Sequence, residues 1–303
     1  MNLKNRIVNL APTPLVKIFA SPYVAGDSIE AATETAQKLW TERQVCSTID
    51  LLGEELESDE EVRYTVDVYK RLIDTLGPQE YATISLKPTQ LGSHHSKEHC
   101  QNTIEEIIIH AERHRIPVTL DMEDHTFIDL TLDIFRALQS KHPTFGTVLQ
   151  SRMFRTDDDI KSLKGMNTRI RICIGIYNEP KEIALQNKPE MKTKLLEQLE
   201  VLFKEGHYAE IATHDEVVIR KSINIAERLN IKKDQYEVQM LMGVPMQAFQ
   251  KELVQNEILV RLYVPFAEKW KYATAYAKRR LAANPAMAMY IMKNLVQKIG
   301  GKR

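Results

Sequence analysis

The sequence predicts an α/β protein built as one (β/α)8 barrel, TIM-like and distorted, with helices ahead of it. Three observations carry this expectation. Short β-rich runs recur eight times along the chain, and amphipathic segments of helical length separate most of them, the pattern of parallel strands joined by helical crossovers. No Gly/Ser-rich linker divides the 303 residues, a length at which α/β barrels form single domains. The rival is an open doubly wound sheet. Binding a dinucleotide, it would carry a Gly-rich turn after its first strand, and no GxGxxG occurs here.

The elements follow in order. Gly26-Asp27-Ser28 supplies a start signal, with Asp27 or Ser28 as N-cap of a helix running to Arg43. Residues 1–45 are therefore read as an N-terminal helical arm, and 46–303 as the barrel with C-terminal helices. The strand runs are CSTIDLLG (46–53), YATISLK (81–87), IPVTLDME (116–123), FGTVLQS (145–151), TRIRICIG (168–175), YAEIATH (208–214), YEVQMLMG (236–243) and ILVRLYVPF (258–266). Segments such as IEEIIIHAERHR (104–115), TLDIFRALQSKH (131–142) and MKTKLLEQLEVLFKEG (191–206) supply the crossovers.

In such a barrel, chemistry sits at the carboxyl ends of the strands. Those ends carry Asp50, Lys87, Asp121 with Glu123 and Asp124, Gln150, Arg171, Thr213 with His214, Gln239 and Tyr263. One such residue can be a strand end reaching solvent. Eight in equivalent places demand more, because buried charges cost several kcal/mol unless paired or functional. Arg171 lies between Ile170 and Ile172, so it points into the barrel and needs an anion. Asp121, two strands earlier, is the expected partner, since alternate strands share an interior layer. Near the chain end, Tyr276 precedes Arg279 and Arg280 by three and four residues, which groups them on one helix surface. Paired guanidiniums suit a carboxylate. A solvated basic patch including Lys278 is the plainer reading.

Two clusters invite a metal. Asp121, Glu123, Asp124 and His125 offer oxygens and an imidazole, but Asp121 and Glu123 share one strand face while the others begin a loop. His94, His95, His99 and Cys100 lack a matching second pair and fit a loop and helix start, with Ser93 and Ser96 as caps. No metal is expected.

Composition narrows the class. With 41 basic and 41 acidic residues the net charge is zero, which disfavours nucleic acid. Cys46, Cys100 and Cys173 are widely spaced without a CxxC, which suits a reducing compartment. The first residues show no secretory core, and no apolar run is long enough to span a membrane, so a cytoplasmic protein is expected. The Met-rich stretch 287–299 is amphipathic; packing on the barrel is expected, and membrane contact is at most peripheral.

The ordered set SLKPTQLG, LDMEDH, VLQSR, RIRICIGIY, ATHDE, QMLMGVP, LYVPF and YAKRRLAANP resembles the proline dehydrogenase family of flavoenzymes. PYVAGDS is similar to the region before the family's barrel, and the resemblance covers roughly residues 15–295. It implies a distorted (β/α)8 barrel, noncovalent FAD across the strand ends, L-proline as substrate and a quinone as electron acceptor. It assigns Lys87, Arg279 and Arg280 to the proline carboxylate, with Tyr263, Tyr276 and Leu241 around the ring. Asp121 and Arg171 match the family's acidic and basic residues beside the flavin. Met122, Gln150, Ile174, Gly175, Ile176, Thr213, His214 and Gln239 match cofactor contacts. The tyrosine matched by Tyr263 favours proline over its 4-hydroxy derivative. Three positions depart from the family pattern: Ala283 replaces a glutamate, Ile174 a lysine and Asp215 an asparagine. The alternatives are another flavin barrel resembling methylenetetrahydrofolate reductase, a metal-dependent lyase using the Asp121 cluster, or a flavin-binding barrel without turnover.

Overall fold

The computed structural model describes residues 22–53, 56–269, 272, 273 and 276. Eight strands close into an all-parallel barrel in sequence order: β1 (Cys46–Leu51), β2 (Ala82–Leu86), β3 (Val118–Leu120), β4 (Gly146–Gln150), β5 (Arg169–Cys173), β6 (Tyr208–Ala212), β7 (Tyr236–Leu241) and β8 (Val260–Phe266). The seam pairs β8 with β1, Tyr263 opposite Thr48. Each strand lies within its expected run. The third shrinks most, because Pro117 has no N–H for the ladder and the chain leaves the wall once the Asp121 amide has bonded Leu86 (2.8 Å).

Strand alternation fixes what the barrel is made of. On β5, Ile170 and Ile172 are fully buried in the core beneath the helices, while Arg169 and Arg171 take the other face. On β7, Val238 and Met240 alternate in the same way with Glu237 and Gln239. That second face is the barrel interior, since its side chains bond across to non-adjacent strands. Barrel interiors are ordinarily filled by branched aliphatics. Here the interior holds Lys87, Arg169, Arg171 and Arg261 against Asp50, Asp121, Glu210 and Glu237, so the charges balance. A balanced interior survives burial because each ion has a partner within reach.

The helices start where short polar side chains can satisfy free amides. Ser28, Ser58, Ser96 and Asp215 cap the helices Ile29–Arg43, Asp59–Leu76, Lys97–Arg113 and Glu216–Arg228. Helix Ile29–Arg43 packs on β1 and β8, the place in the outer ring where a helix after β8 would sit. Tyr272 lies beside Leu51, Leu52 and Gln90, at the carboxyl ends of β1 and β2. No helix among the described residues is long and apolar enough to cross a membrane.

Candidate active site

Asp121 is the hub of the barrel mouth. Its Oδ1 accepts from Ser85 (2.7 Å) and from the Arg171 guanidinium (2.5 Å), and its Oδ2 accepts from the Tyr263 hydroxyl (2.6 Å). Lys87 lies 3.6 Å from that Oδ2, donates to the Tyr263 hydroxyl at 3.2 Å and donates to Asp50. Strands β1, β2, β3, β5 and β8 thus bring Asp50, Lys87, Asp121, Arg171 and Tyr263 into one network. The expected pairing of Asp121 with Arg171 is found. The Arg171 guanidinium also stands 5.4 Å over the Tyr263 ring.

Burial and charge act in opposite directions here. Burial raises the Asp121 carboxyl, but Arg171 and Lys87 outweigh it and hold the group below its usual range. At Asp50 burial wins: its carboxyl is pushed up to about 6 although Lys87 draws it down. Its Oδ2 has no hydrogen-bond partner. Burial and the nearby carboxylates of Asp121 and Asp50 push Tyr263 well above the ordinary phenol value, so it stays a neutral donor.

A second tier supports the first. Arg171 Nε donates to Gln239 (2.6 Å), whose amide group donates to Glu210 (2.7 Å) and Glu237 (2.6 Å). Gln239 therefore orients Arg171 from below. Glu210 accepts from Arg169, and Glu237 accepts twice from Arg261, at 2.6 and 3.1 Å. Sequence reading placed Asp50 among the polar strand ends but assigned no role to Glu210, Glu237, Arg169 or Arg261. The signal for them was the period-2 alternation of the strands, read on its polar side.

The remaining residues fall around the rim. Gln150 donates to the Glu123 carbonyl (2.7 Å), while its buried Oε1 has no hydrogen-bond partner. Gly175 adopts φ +96°, and a Cβ there would stand 2.2 Å from that Oε1, so only glycine fits this turn. Ile174 packs on the core edge, and Ile176 is exposed. Met122 is buried in the core. The Leu241 amide donates to His214 Nε2 (2.9 Å), and Thr213 Oγ1 accepts from the Asp215 amide (3.2 Å). Asp215 caps its helix through Val218 (3.1 Å) and pairs with Lys192, so the acid serves as a cap where asparagine is common. Tyr276 is buried. Arg279, Arg280, Ala283 and the 287–299 stretch lie outside the described residues.

The carboxylates near Asp121 do not converge. Glu123 accepts from Thr89 (3.0 and 2.7 Å), Asp124 caps the turn at Thr126 (2.9 Å), and His125 bonds Glu179 (2.6 Å). Each is engaged with a different partner, which leaves no common point for an ion.

A closed parallel barrel with ionised groups gathered at the carboxyl ends of its strands defines a (β/α)8-barrel enzyme. The sequence model of proline dehydrogenase matches residues 32–176 and 186–292, which span every strand of the barrel. The chain belongs to the proline dehydrogenase family. It is 33% identical over 285 residues to a proline dehydrogenase of Deinococcus radiodurans, covering 92% of this chain and 90% of that protein. It is 30% identical over 283 residues to proline dehydrogenase 1 of Bacillus subtilis strain 168, covering 93% and 92%. The fold is shared with proline utilization A from Bdellovibrio bacteriovorus, inactivated by N-propargylglycine, at a TM-score of 0.79 and 23% identity. That match takes in 87% of this chain but 32% of the other, so the chain spans about a third of that protein's length.

Proposed function

We propose that the chain oxidises L-proline to Δ1-pyrroline-5-carboxylate, with FAD accepting the hydride and a quinone receiving the electrons afterwards. The observation that carries this reading is a convergence. Four residues that the family resemblance assigns to substrate and cofactor, Lys87, Asp121, Arg171 and Tyr263, meet in one hydrogen-bonded network.

The rim fits a flavin. The unpartnered Gln150 Oε1 offers a buried acceptor, packed directly against the glycine turn at Gly175. Met122, Gln150, Arg171, Ile174, Gly175, Ile176, Thr213, His214 and Gln239 would hold it. FAD supplies the two-electron acceptor that no side chain provides. The protein binds and orients proline. Lys87, Arg279 and Arg280 take the carboxylate, and Tyr263, Tyr276 and Leu241 wall the ring. Asp121 fixes the direction of Arg171, Tyr263 and Lys87 together, so the cations are set before substrate arrives. Mixing the purified flavoprotein with L-proline in a stopped-flow instrument without oxygen tests the proposal. Bleaching of the flavin band is expected, and an oxidised spectrum that persists at saturating proline overturns it.

Replacing Arg279 or Arg280 by Met should weaken proline binding by about 2–4 kcal/mol, the range for truncating one partner of a buried charge pair. The flavin content should stay unchanged. Proline titrations that match the parent would remove both arginines from the carboxylate site.

Asp50 gives a pH prediction. Its folded pKa of about 6 lies above the ordinary carboxylate value, so it is ionised above pH 6 and protonated below. Only the ionised form is a full counter-charge for Lys87. The value of kcat/KM for proline should therefore decline as pH falls through about 6. In Asp50→Asn that limb should vanish, leaving a lower activity that is flat across the window. An identical limb in the variant would assign it to another group.

A further inference from the structure

We propose a binding site for a divalent transition-metal ion, Zn2+ in the first place, formed by Asp74, His110 and His114 on the outer ring of helices. His110 and His114 lie four apart at the end of helix Lys97–Arg113, which sets their rings 5.5 Å apart, tilted by 39°, on one face. Asp74 reaches them from the neighbouring helix Asp59–Leu76. One carboxylate oxygen stands 2.7 Å from His110 Nε2 and 3.1 Å from His114 Nε2, and the three ligand atoms lie within 4.8 Å of one another.

Zinc binds imidazole nitrogen and carboxylate oxygen at about 2.0–2.2 Å, so tetrahedral ligands stand roughly 3.3 Å apart. The two Asp74–histidine distances of 2.7 and 3.1 Å need to open by only about 0.6 and 0.2 Å to reach that spacing. Two imidazoles with one carboxylate favour Zn2+, Ni2+, Co2+ or Cu2+ over Mg2+ or Ca2+, and three protein ligands leave a fourth position for water. A second trio, at the opposite ends of these helices and with His95 in the turn before one of them, is poorer. His95 and His99 stand 3.2 and 3.9 Å from Asp59, and they do not converge to the same degree.

Position indicates what an ion there would do. His114 and Asp74 end helices that lead into β3 and β2, so the trio sits at the amino-terminal face of the barrel, opposite the mouth. That face serves stability in barrel enzymes. An ion bound there ties the first two crossover helices together and stabilises the fold by mass action.

The test is calorimetric titration of the untagged full chain with ZnCl2, alongside thermal unfolding with and without the ion. One Zn2+ per chain is expected, together with a rise in Tm. His110→Ala/His114→Ala should lose affinity by more than the roughly 10- to 100-fold typical of removing a ligand's outer support. Asp74→Asn, on a side chain 56% exposed and so no threat to folding, should weaken Zn2+ while leaving the metal-free Tm and proline turnover unchanged. No Zn2+ uptake by the parent overturns the proposal. So does uptake undiminished in Asp74→Asn and in the double histidine variant, or uptake abolished by His95→Ala/His99→Ala instead.

Discussion

Glu237→Gln is expected to destabilise the fold by about 3–5 kcal/mol, the cost of stranding one member of a buried ion pair. Glu237 is fully buried at the base of the barrel and accepts from Arg261 twice, from Gln239 and from the Tyr208 hydroxyl (3.1 Å). A glutamine keeps the shape but turns an N–H group towards one of these donors and leaves Arg261 without its counter-charge. Burial resists ionisation of Glu237, yet Arg261 and Arg169 lower its carboxyl to about 2, against 4.5 for the free group. A carboxylate whose pKa is depressed on folding contributes stability above its unfolded pKa and loses it as pH falls towards the folded value. The gap between parent and variant should therefore be constant above about pH 5 and narrow between pH 4.5 and 2. Urea unfolding at pH 7 and pH 3 measures both. Equal unfolding midpoints at pH 7 would mean that Glu210 alone neutralises the two arginines.

The same charges explain what could be read in the sequence. Eight strands were legible because alternation is strong in TRIRIC, YEVQML and VRLYVPF, and turn residues separate the runs. Arg171 with Asp121 was legible because layer geometry links alternate strands. Residues lower in the barrel were not, because Glu210, Glu237 and Arg261 look like ordinary polar positions until the register sets them against one another. Helix Ile29–Arg43 was recognised with Asp27 or Ser28 as its cap, and Ser28 fills that role, but no local pattern says that the helix occupies the ring place after β8. The Asp121 cluster was ambiguous for a similar reason. The partner that draws His125 away from it, Glu179, lies 54 residues further on.

Asp121→Ala should have the largest effect on function. It removes in one step the acceptor for Ser85, Tyr263 and Arg171 and the second carboxylate near Lys87. Arg171 keeps Gln239 and, at 3.5 Å, Glu210, so its charge stays partly compensated and the barrel should still close. Stability should fall by about 3–5 kcal/mol. Turnover should fall by roughly 10²- to 10³-fold, the scale for losing one preorganised electrostatic contact. The split between kcat and KM separates the two roles that Asp121 can have. If it orients the mouth for the reaction, kcat falls far more than proline affinity, because the carboxylate ligands proposed above, Lys87, Arg279 and Arg280, are untouched. Arg171→Met, removing the partner cation, should instead lower flavin content or shift the flavin's reduction potential, since a nearby cation favours the anionic reduced form. A folded Asp121→Ala enzyme with parental kcat, beside an Arg171→Met enzyme with parental flavin content and potential, would reduce the pair to a structural ion pair of the barrel wall.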